Sequence, residues 1–278
     1  MNCPFCSVAA FYVKRYRSRP VQEVLRDAEY LRGKRVFIVD DNLEAYGERL
    51  YELLPALAPF KFRLYAQVDS RFALNEKLLD LAQAAGMETV FIGLESVVPA
   101  RLHELGKGWI NLEEFKKAAR NLHARGILFA ASLIFGVGPE NEDTVKQTLD
   151  FLLEIQADYL ALYFYTPLPG TRLFQELSEK KIPFSRDWSR YHGNLPLINY
   201  EGSSAEKMEE LYWSLYQDFY KVGAILKRHW HIPQRPLFWA TSLGWNLLMF
   251  RMDVRRHRSM FYNGASYLDL LPWYSSEK

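Results

Sequence analysis

The residues of this 278-residue chain best suited to do chemistry are its only two cysteines, in the run Cys3-Pro4-Phe5-Cys6. A thiol pair this close can be half of a metal or cluster site, a redox dithiol, or two structural thiols. A thiol–disulfide motif needs a strand ahead of its first cysteine, so that a helix N-terminus can lower the thiol pKa. Only Met1 and Asn2 precede Cys3. A zinc knuckle needs a second ligand pair, and the six histidines, His229 and His231 among them, form no matched knuckle. An iron–sulfur site needs at least one further thiolate. On the pair alone these readings stay open.

Carboxylates form the second group. Asp40-Asp41-Asn42 follows the apolar run Val36-Phe37-Ile38-Val39, and Glu95-Ser96 follows Thr89-Val90-Phe91-Ile92-Gly93-Leu94. Acids at the end of a buried strand either face a cationic ligand or cap the next helix. A carboxylate at the end of an apolar strand is costly without a partner.

The elements that must position these groups alternate. Apolar residues at helical spacing predict helices over residues 21–31, 43–57, 76–85, 112–124 and 143–155. Gly33, Gly86 and Gly126 stand where helices end. Short apolar runs predict strands over residues 36–39, 62–68, 89–94, 127–135 and 159–165, each apolar on both faces. That is the pattern of a parallel sheet covered by helices, with its polar, Gly and Pro residues gathered after the strands. The pattern does not separate a barrel from an open doubly wound sheet. The absence of a G-x-G-x-x-G run after the first strand weakens a dinucleotide reading. Residues 182–203 read as irregular loop, and residues 205–228 as a helix with a core-facing aromatic stripe: Tyr212, Trp213, Tyr216, Phe219 and Tyr220. An apolar segment, 237–250, and a basic cluster, Arg251, Arg255, Arg256, His257 and Arg258, follow, the cluster read as a solvated face. The tail from Gly264 is expected to fray.

Composition narrows the class. Hydrophobic residues at 49% can build a core. The near balance of 35 Lys+Arg against 33 Asp+Glu gives no pointer to nucleic acid. No signal-peptide pattern is expected at the start, and residues 237–250 are too short to span a bilayer. The two cysteines then fit a reducing, cytoplasmic setting.

Taken in order, five stretches carry a family resemblance: Cys3-Pro4-Phe5-Cys6-Ser7-Val8; Tyr16-Arg17-Ser18-Arg19-Pro20-Val21-Gln22-Glu23-Val24; Val36 through Asn42; Phe91-Ile92-Gly93-Leu94-Glu95-Ser96; and Tyr165-Thr166-Pro167-Leu168-Pro169-Gly170-Thr171-Arg172-Leu173. Over roughly residues 1–180 the chain resembles the radical S-adenosylmethionine (SAM) enzymes, in the branch that carries a cobalamin-binding domain. The family's C-x3-C-x2-C motif places Cys3 and Cys6 as its second and third cluster ligands, with Phe5 as its aromatic. The first cysteine would fall two places before Met1, and the barrel strand before it would also lie upstream.

The resemblance implies an α/β fold: a partial (β/α) TIM-like barrel lacking its first strand (1–182), with a mostly helical C-terminal extension (183–278). It implies a [4Fe–4S] cluster, SAM cleaved to a 5′-deoxyadenosyl radical, and cobalamin through an upstream domain. An electron donor such as flavodoxin or ferredoxin is implied, and a small or lipid-like substrate that is methylated, cyclised or rearranged. Asp40, Asp41 and Asn42 would meet the SAM amino group, and Glu95 the ribose or amino-acid part. Gly136, Gly138 and Tyr165 would line the adenine end. Pro167 and Pro169 read as turn chemistry. A catalytically silent barrel serving as a scaffold, or a thiol oxidoreductase, is the alternative. The 237–250 segment is expected to close the barrel mouth or to lie on a membrane surface.

Overall fold

The computed structural model describes residues 3–12, 17–198, 203–229 and 236–251. The cysteine turn leads into α1 (Ser7–Phe11), then α2 (Val21–Glu29) and β1 (Arg35–Ile38). Asn42 caps a 3-10 helix, Leu43–Arg49, which passes into α3 (Leu50–Leu57). The single helix expected over 43–57 is broken because Gly47 takes a left-handed φ of 56°. Next come β2 (Arg63–Val68), α4 (Ser70–Leu74), α5 (Glu76–Ala84) and β3 (Met87–Glu95). Then follow α6 (Pro99–Glu104), α7 (Leu112–Ala124), β4 (Leu128–Phe135), α8 (Glu142–Glu154) and β5 (Tyr159–Phe164). Asn75, Asn111 and Asn141 start α5, α7 and α8 by accepting backbone N–H groups on their side chains. Among the described residues there follow α9 (Arg172–Glu179), α10 (Ala205–Phe219), α11 (Val222–His229) and α12 (Pro236–Arg251). The helix expected over 205–228 is interrupted at Tyr220. The tail from Gly264, and the basic cluster beyond Arg251, lie outside the described residues.

All four strand pairs are parallel, and the strands lie side by side in chain order, β1-β2-β3-β4-β5. Right-handed crossovers between successive neighbours put every connecting helix on one face of the sheet. This settles barrel against doubly wound sheet in favour of the partial barrel, because a doubly wound sheet reverses its strand order. The core lies between that face and the helices: Leu64, Ala66, Val90, Ile92, Ala131 and Leu162 alternate into it. The other face corrects the expectation of strands buried on both sides. Phe37, Phe91 and Tyr163 alternate onto it and are exposed.

The aromatic stripe of α10 is core, as expected, and it also seals an edge. The N–H groups of Leu160 and Leu162 are donated to the hydroxyls of Tyr220 (3.3 Å) and Tyr216 (3.2 Å), and the Tyr212 hydroxyl donates to Leu162 O (2.8 Å). Phe164 N–H completes the row on Gly193 O at 2.7 Å. Four residues of helix advance about 6 Å and two of strand about 6.6 Å, so tyrosines four apart keep step with the edge of β5. Below them the fully buried Arg228 donates to Ala157 O (2.7 Å), Asp158 O (3.1 Å) and Phe219 O (2.9 Å), with its guanidinium 3.6 Å from the Phe219 ring centroid.

Tyr216→Phe leaves the Leu162 N–H without its acceptor and is expected to cost about 1–2 kcal/mol in urea unfolding. Arg228→Met strands three carbonyls at once. We expect about 2–4 kcal/mol, and proteolytic release of α11 and α12 ahead of the barrel; a midpoint equal to wild type would refute the docking role.

Candidate active site

The Cys3–Cys6 turn closes on itself by a Cys6 N–H to Cys3 O bond of 3.3 Å, and Leu173 N–H holds it from below through Pro4 O at 2.9 Å. Phe5 meets Tyr165 edge-to-face, with ring centroids 6.1 Å apart, and packs on Leu105, Val137, Leu173, Leu177 and Ile198. The turn therefore rests on the segments that follow β4 and β5, at the carboxyl ends of the strands. Both thiols are free; Cys3 is buried and Cys6 half-buried.

Glu95 comes to this turn through an irregularity of its own strand. Pairing between β3 and β4 slips between Gly93 and Glu95, and Glu95 takes a left-handed φ of 64°. A slip of this kind re-aims the side chain after it, and the left-handed backbone costs a non-glycine residue roughly 1–2 kcal/mol. Gly93 leaves room for the result, since a Cβ there would lie 2.5 Å from Glu95 Oε1. The carboxylate ends 2.9 Å from Lys107 Nζ, in a pair whose side chains are 10% and 11% exposed.

Burial pushes the Cys3 thiol up, and the Lys107 ammonium works against that push. Burial alone would lower Lys107, but Glu95 and the two cysteines together hold it above its ordinary value. Cys3, Cys6, Glu95 and Lys107 are thus one electrostatic group. Lys107 escaped the sequence reading because a lone lysine in a loop gives no sign that it will be buried.

Asp40, Asp41 and Asn42 lie at the same end of the sheet, with their contacts elsewhere. Asn42 is a helix cap, accepting from Glu44 N–H at 3.2 Å, and its Nδ2 donates to Asp69 at 3.1 Å. Asp40 accepts from the Tyr46 hydroxyl at 3.3 Å; burial raises its carboxyl, and Tyr46 opposes that. Asp41 is exposed. A polar chain links this corner to the cysteine turn: Asp69 pairs with Arg71 at 2.5 Å, and Arg71 and Lys107 lie 5.1 and 5.7 Å from the Trp109 ring centroid.

Gly136 and Gly138 belong to a loop built around a buried carboxylate. Glu140 accepts from Gly136 N–H (3.1 Å), from Arg101 Nη1 on both oxygens (2.8 Å each) and from the Thr144 hydroxyl (2.7 Å). Gly136 has a φ of 76°, and a Cβ on Gly138 would lie 3.8 Å from Arg101 Nε. Burial pushes the Tyr165 hydroxyl up. The segment after it is turn chemistry as expected, closed by Leu168 N–H to Thr166 O (2.9 Å) and Thr171 N–H to Leu168 O (3.1 Å). Among the described residues no three His, Cys, Asp or Glu side chains converge as a metal site.

Residues 1–152 match the radical SAM superfamily. The chain is 29% identical over 267 residues to the bacteriochlorophyllide d C-12(1)-methyltransferase of Chlorobaculum tepidum, covering 94% of this chain and 57% of that protein. It is 25% identical over 233 residues to the anaerobic magnesium-protoporphyrin IX monomethyl ester cyclase of Rubrivivax gelatinosus, covering 81% and 41%. In fold it resembles the radical SAM methyltransferase TsrM of Kitasatospora setae, solved with cobalamin and a [4Fe–4S] cluster: TM-score 0.59, 17% identity, 92% of this chain and 58% of that one. The chain thus spans about half the length of these proteins. With a partial parallel barrel, a cysteine turn at the carboxyl ends of its strands, and more than half of its length matched, the chain belongs to the radical SAM superfamily.

Proposed function

We propose that this chain is the SAM-binding core of a longer radical enzyme that methylates, cyclises or rearranges an apolar ring-bearing substrate. The observation that carries the reading is the Cys3–Cys6 turn set against the buried Glu95–Lys107 pair. An ion pair offers a zwitterion one group of each sign: Lys107 would face the methionyl carboxylate of SAM, and Glu95 an ammonium or ribose hydroxyl. Asp40, Asp41 and Asn42 would add acceptors for the ammonium, and Phe5, Gly136, Gly138 and Tyr165 would form the adenine wall. The exposed Phe37, Phe91 and Tyr163 on the sheet's uncovered face support an apolar substrate, and two of the similar proteins are named for tetrapyrrole chemistry.

A [4Fe–4S] cluster supplies the electron for SAM cleavage in this family. Against a cubane that takes three thiolates, the residues fit in part: Cys3 and Cys6 would hold two irons, and the sequence contains no third cysteine. What this chain contributes is a charged pocket partly shielded from water and a rigid seat for two thiolates. Cobalamin, and an electron donor such as flavodoxin or ferredoxin, would come from outside the chain. The second reading is a catalytically silent barrel acting as a scaffold.

Iron analysis separates the two readings. Anaerobic reconstitution of this chain is expected to give fewer than about four irons. An N-terminal extension carrying a cysteine at the C-x3-C spacing ahead of Cys3 is expected to bring about four, with 5′-deoxyadenosine formed under a strong reductant. No gain in iron or product would favour the scaffold. In the same extended protein, Gly93→Ala is expected to fold but to lose about 1–3 kcal/mol of stability, because the added Cβ pushes the Glu95 carboxylate off Lys107. It should weaken SAM binding roughly tenfold or more by displacing the Glu95 carboxylate; unchanged binding by calorimetry would remove Glu95 from the site.

A further inference from the structure

Helix α12 is built the wrong way round for a solvated surface helix. Among its described side chains the two that are buried are polar: Ser242 and Asn246 are 2% and 0% exposed. Ser242 Oγ contacts His229 Nε2 at 3.1 Å and accepts from the Tyr159 hydroxyl at 3.0 Å. Asn246 Oδ1 accepts from Arg228 at 3.3 Å, and Nδ2 donates to Ser242 O at 3.0 Å. These bonds fasten the helix at the amino end of β5, opposite the cysteine turn. The described residues of α12 therefore do not close the barrel mouth, which corrects the first of the two roles expected for this segment.

The outward stripe is apolar. Ala240, Gly244, Leu247 and Leu248 fall on one helical face and are exposed, Leu247 and Leu248 by 36% and 45%. No charged residue occurs from Leu237 to Phe250, whereas a helix face turned to water normally carries charge. On α11, Val222 and Leu226, also four apart, are 40% and 54% exposed.

We propose that α12 is a docking helix for the surface of an anionic phospholipid bilayer. Charge complementarity selects this occupant. The stripe runs into Arg251, and the sequence continues with Arg255, Arg256, His257 and Arg258; Asp253 is the only acid between Leu237 and Leu268. A basic run that follows a leucine-bearing helix in sequence is the chemistry that holds a helix in the headgroup layer. Sixteen residues reach about 24 Å, short of a hydrocarbon core of about 30 Å. With Ser242 and Asn246 bonded into the protein, the helix lies along a bilayer rather than through it. Among the described residues no helix is long and apolar enough to cross a membrane. The proposal does not depend on the catalytic reading, since none of these residues belongs to the site.

Flotation of the full chain with vesicles tests it. The protein is expected to rise with vesicles of phosphatidylglycerol and phosphatidylcholine, and to stay behind with phosphatidylcholine alone. The exposed double variant Leu247→Glu/Leu248→Glu, and separately Arg255→Glu/Arg256→Glu, should each lower the bound fraction roughly tenfold or more, with circular dichroism unchanged. Because the charge variant leaves α12 intact, it answers the question even if the leucine variant unfolds. Wild-type recovery equal with and without anionic vesicles would overturn the proposal. So would self-association of the wild type in light scattering that Leu247→Glu/Leu248→Glu abolishes without any vesicle binding, which would assign the stripe to a second copy of the chain.

Discussion

A parallel sheet with its strands in chain order has two free edges, and each edge carries backbone groups that need partners. Most of the C-terminal part of this protein can be understood from how the β5 edge is satisfied. Tyr212, Tyr216 and Tyr220 reach across from α10 and meet the backbone of Leu160 and Leu162, while Gly193 takes the next N–H. The match in rise between four helical residues and two strand residues makes this row possible. It also ties a helix from the extension to the last strand of the barrel. The edge is thereby closed to strand addition, the usual hazard of an exposed edge. The extension is part of how the barrel ends, and Arg228 repeats the same principle one level down by taking up carbonyls at the foot of β5.

At the other end of the strands the organising interaction is an ion pair. A buried carboxylate and a buried ammonium each lose hydration, and their attraction must offset that loss. Glu95 and Lys107 accept it at 2.9 Å, and Glu95 adds a left-handed backbone to reach its place. Strain and buried charge thus gather at one point, beside the only two thiols of the chain, and support the site proposed there. Around it lie two further charged groupings. Asp69 with Arg71 braces the corner after β2, and Glu140 with Arg101 folds the loop after β4. The ends of β2, β3 and β4 thus each carry a carboxylate paired to a cation, Arg71 from the same segment as Asp69, Lys107 and Arg101 from elsewhere in the chain.

How much of this was legible in the residues differs by scale. The alternation of short apolar runs with helical periods determined the parallel α/β class, five strands and most of the helices between them, because both signals are local. The cysteine spacing and the order of the five motifs pointed to the family, and the strand ends put Cys6, Asp41, Glu95, Gly136 and Tyr165 at one end of the sheet. Local signals missed the short helices α4, α6 and α9, which at five, six and eight residues stand inside stretches read as strand ends and turns. They also missed the break at Gly47, where a permitted left-handed glycine ends a helix that the apolar pattern would continue.

What only the tertiary structure decided is which charges meet and which faces see water. Lys107 lies twelve residues from Glu95, and Arg101 is joined to Glu140 across two crossovers; no spacing rule pairs them, because the fold and not the chain sets their distance. The same holds for the sheet's second face, read as buried from its phenylalanines and left open by one-sided crossovers. It holds also for α12, whose apolar run was expected to close the barrel mouth or to lie on a membrane surface. The bonds of Ser242 and Asn246 to Arg228, His229 and Tyr159 turned its polar side inward, because buried donors and acceptors must be paired before apolar area is counted.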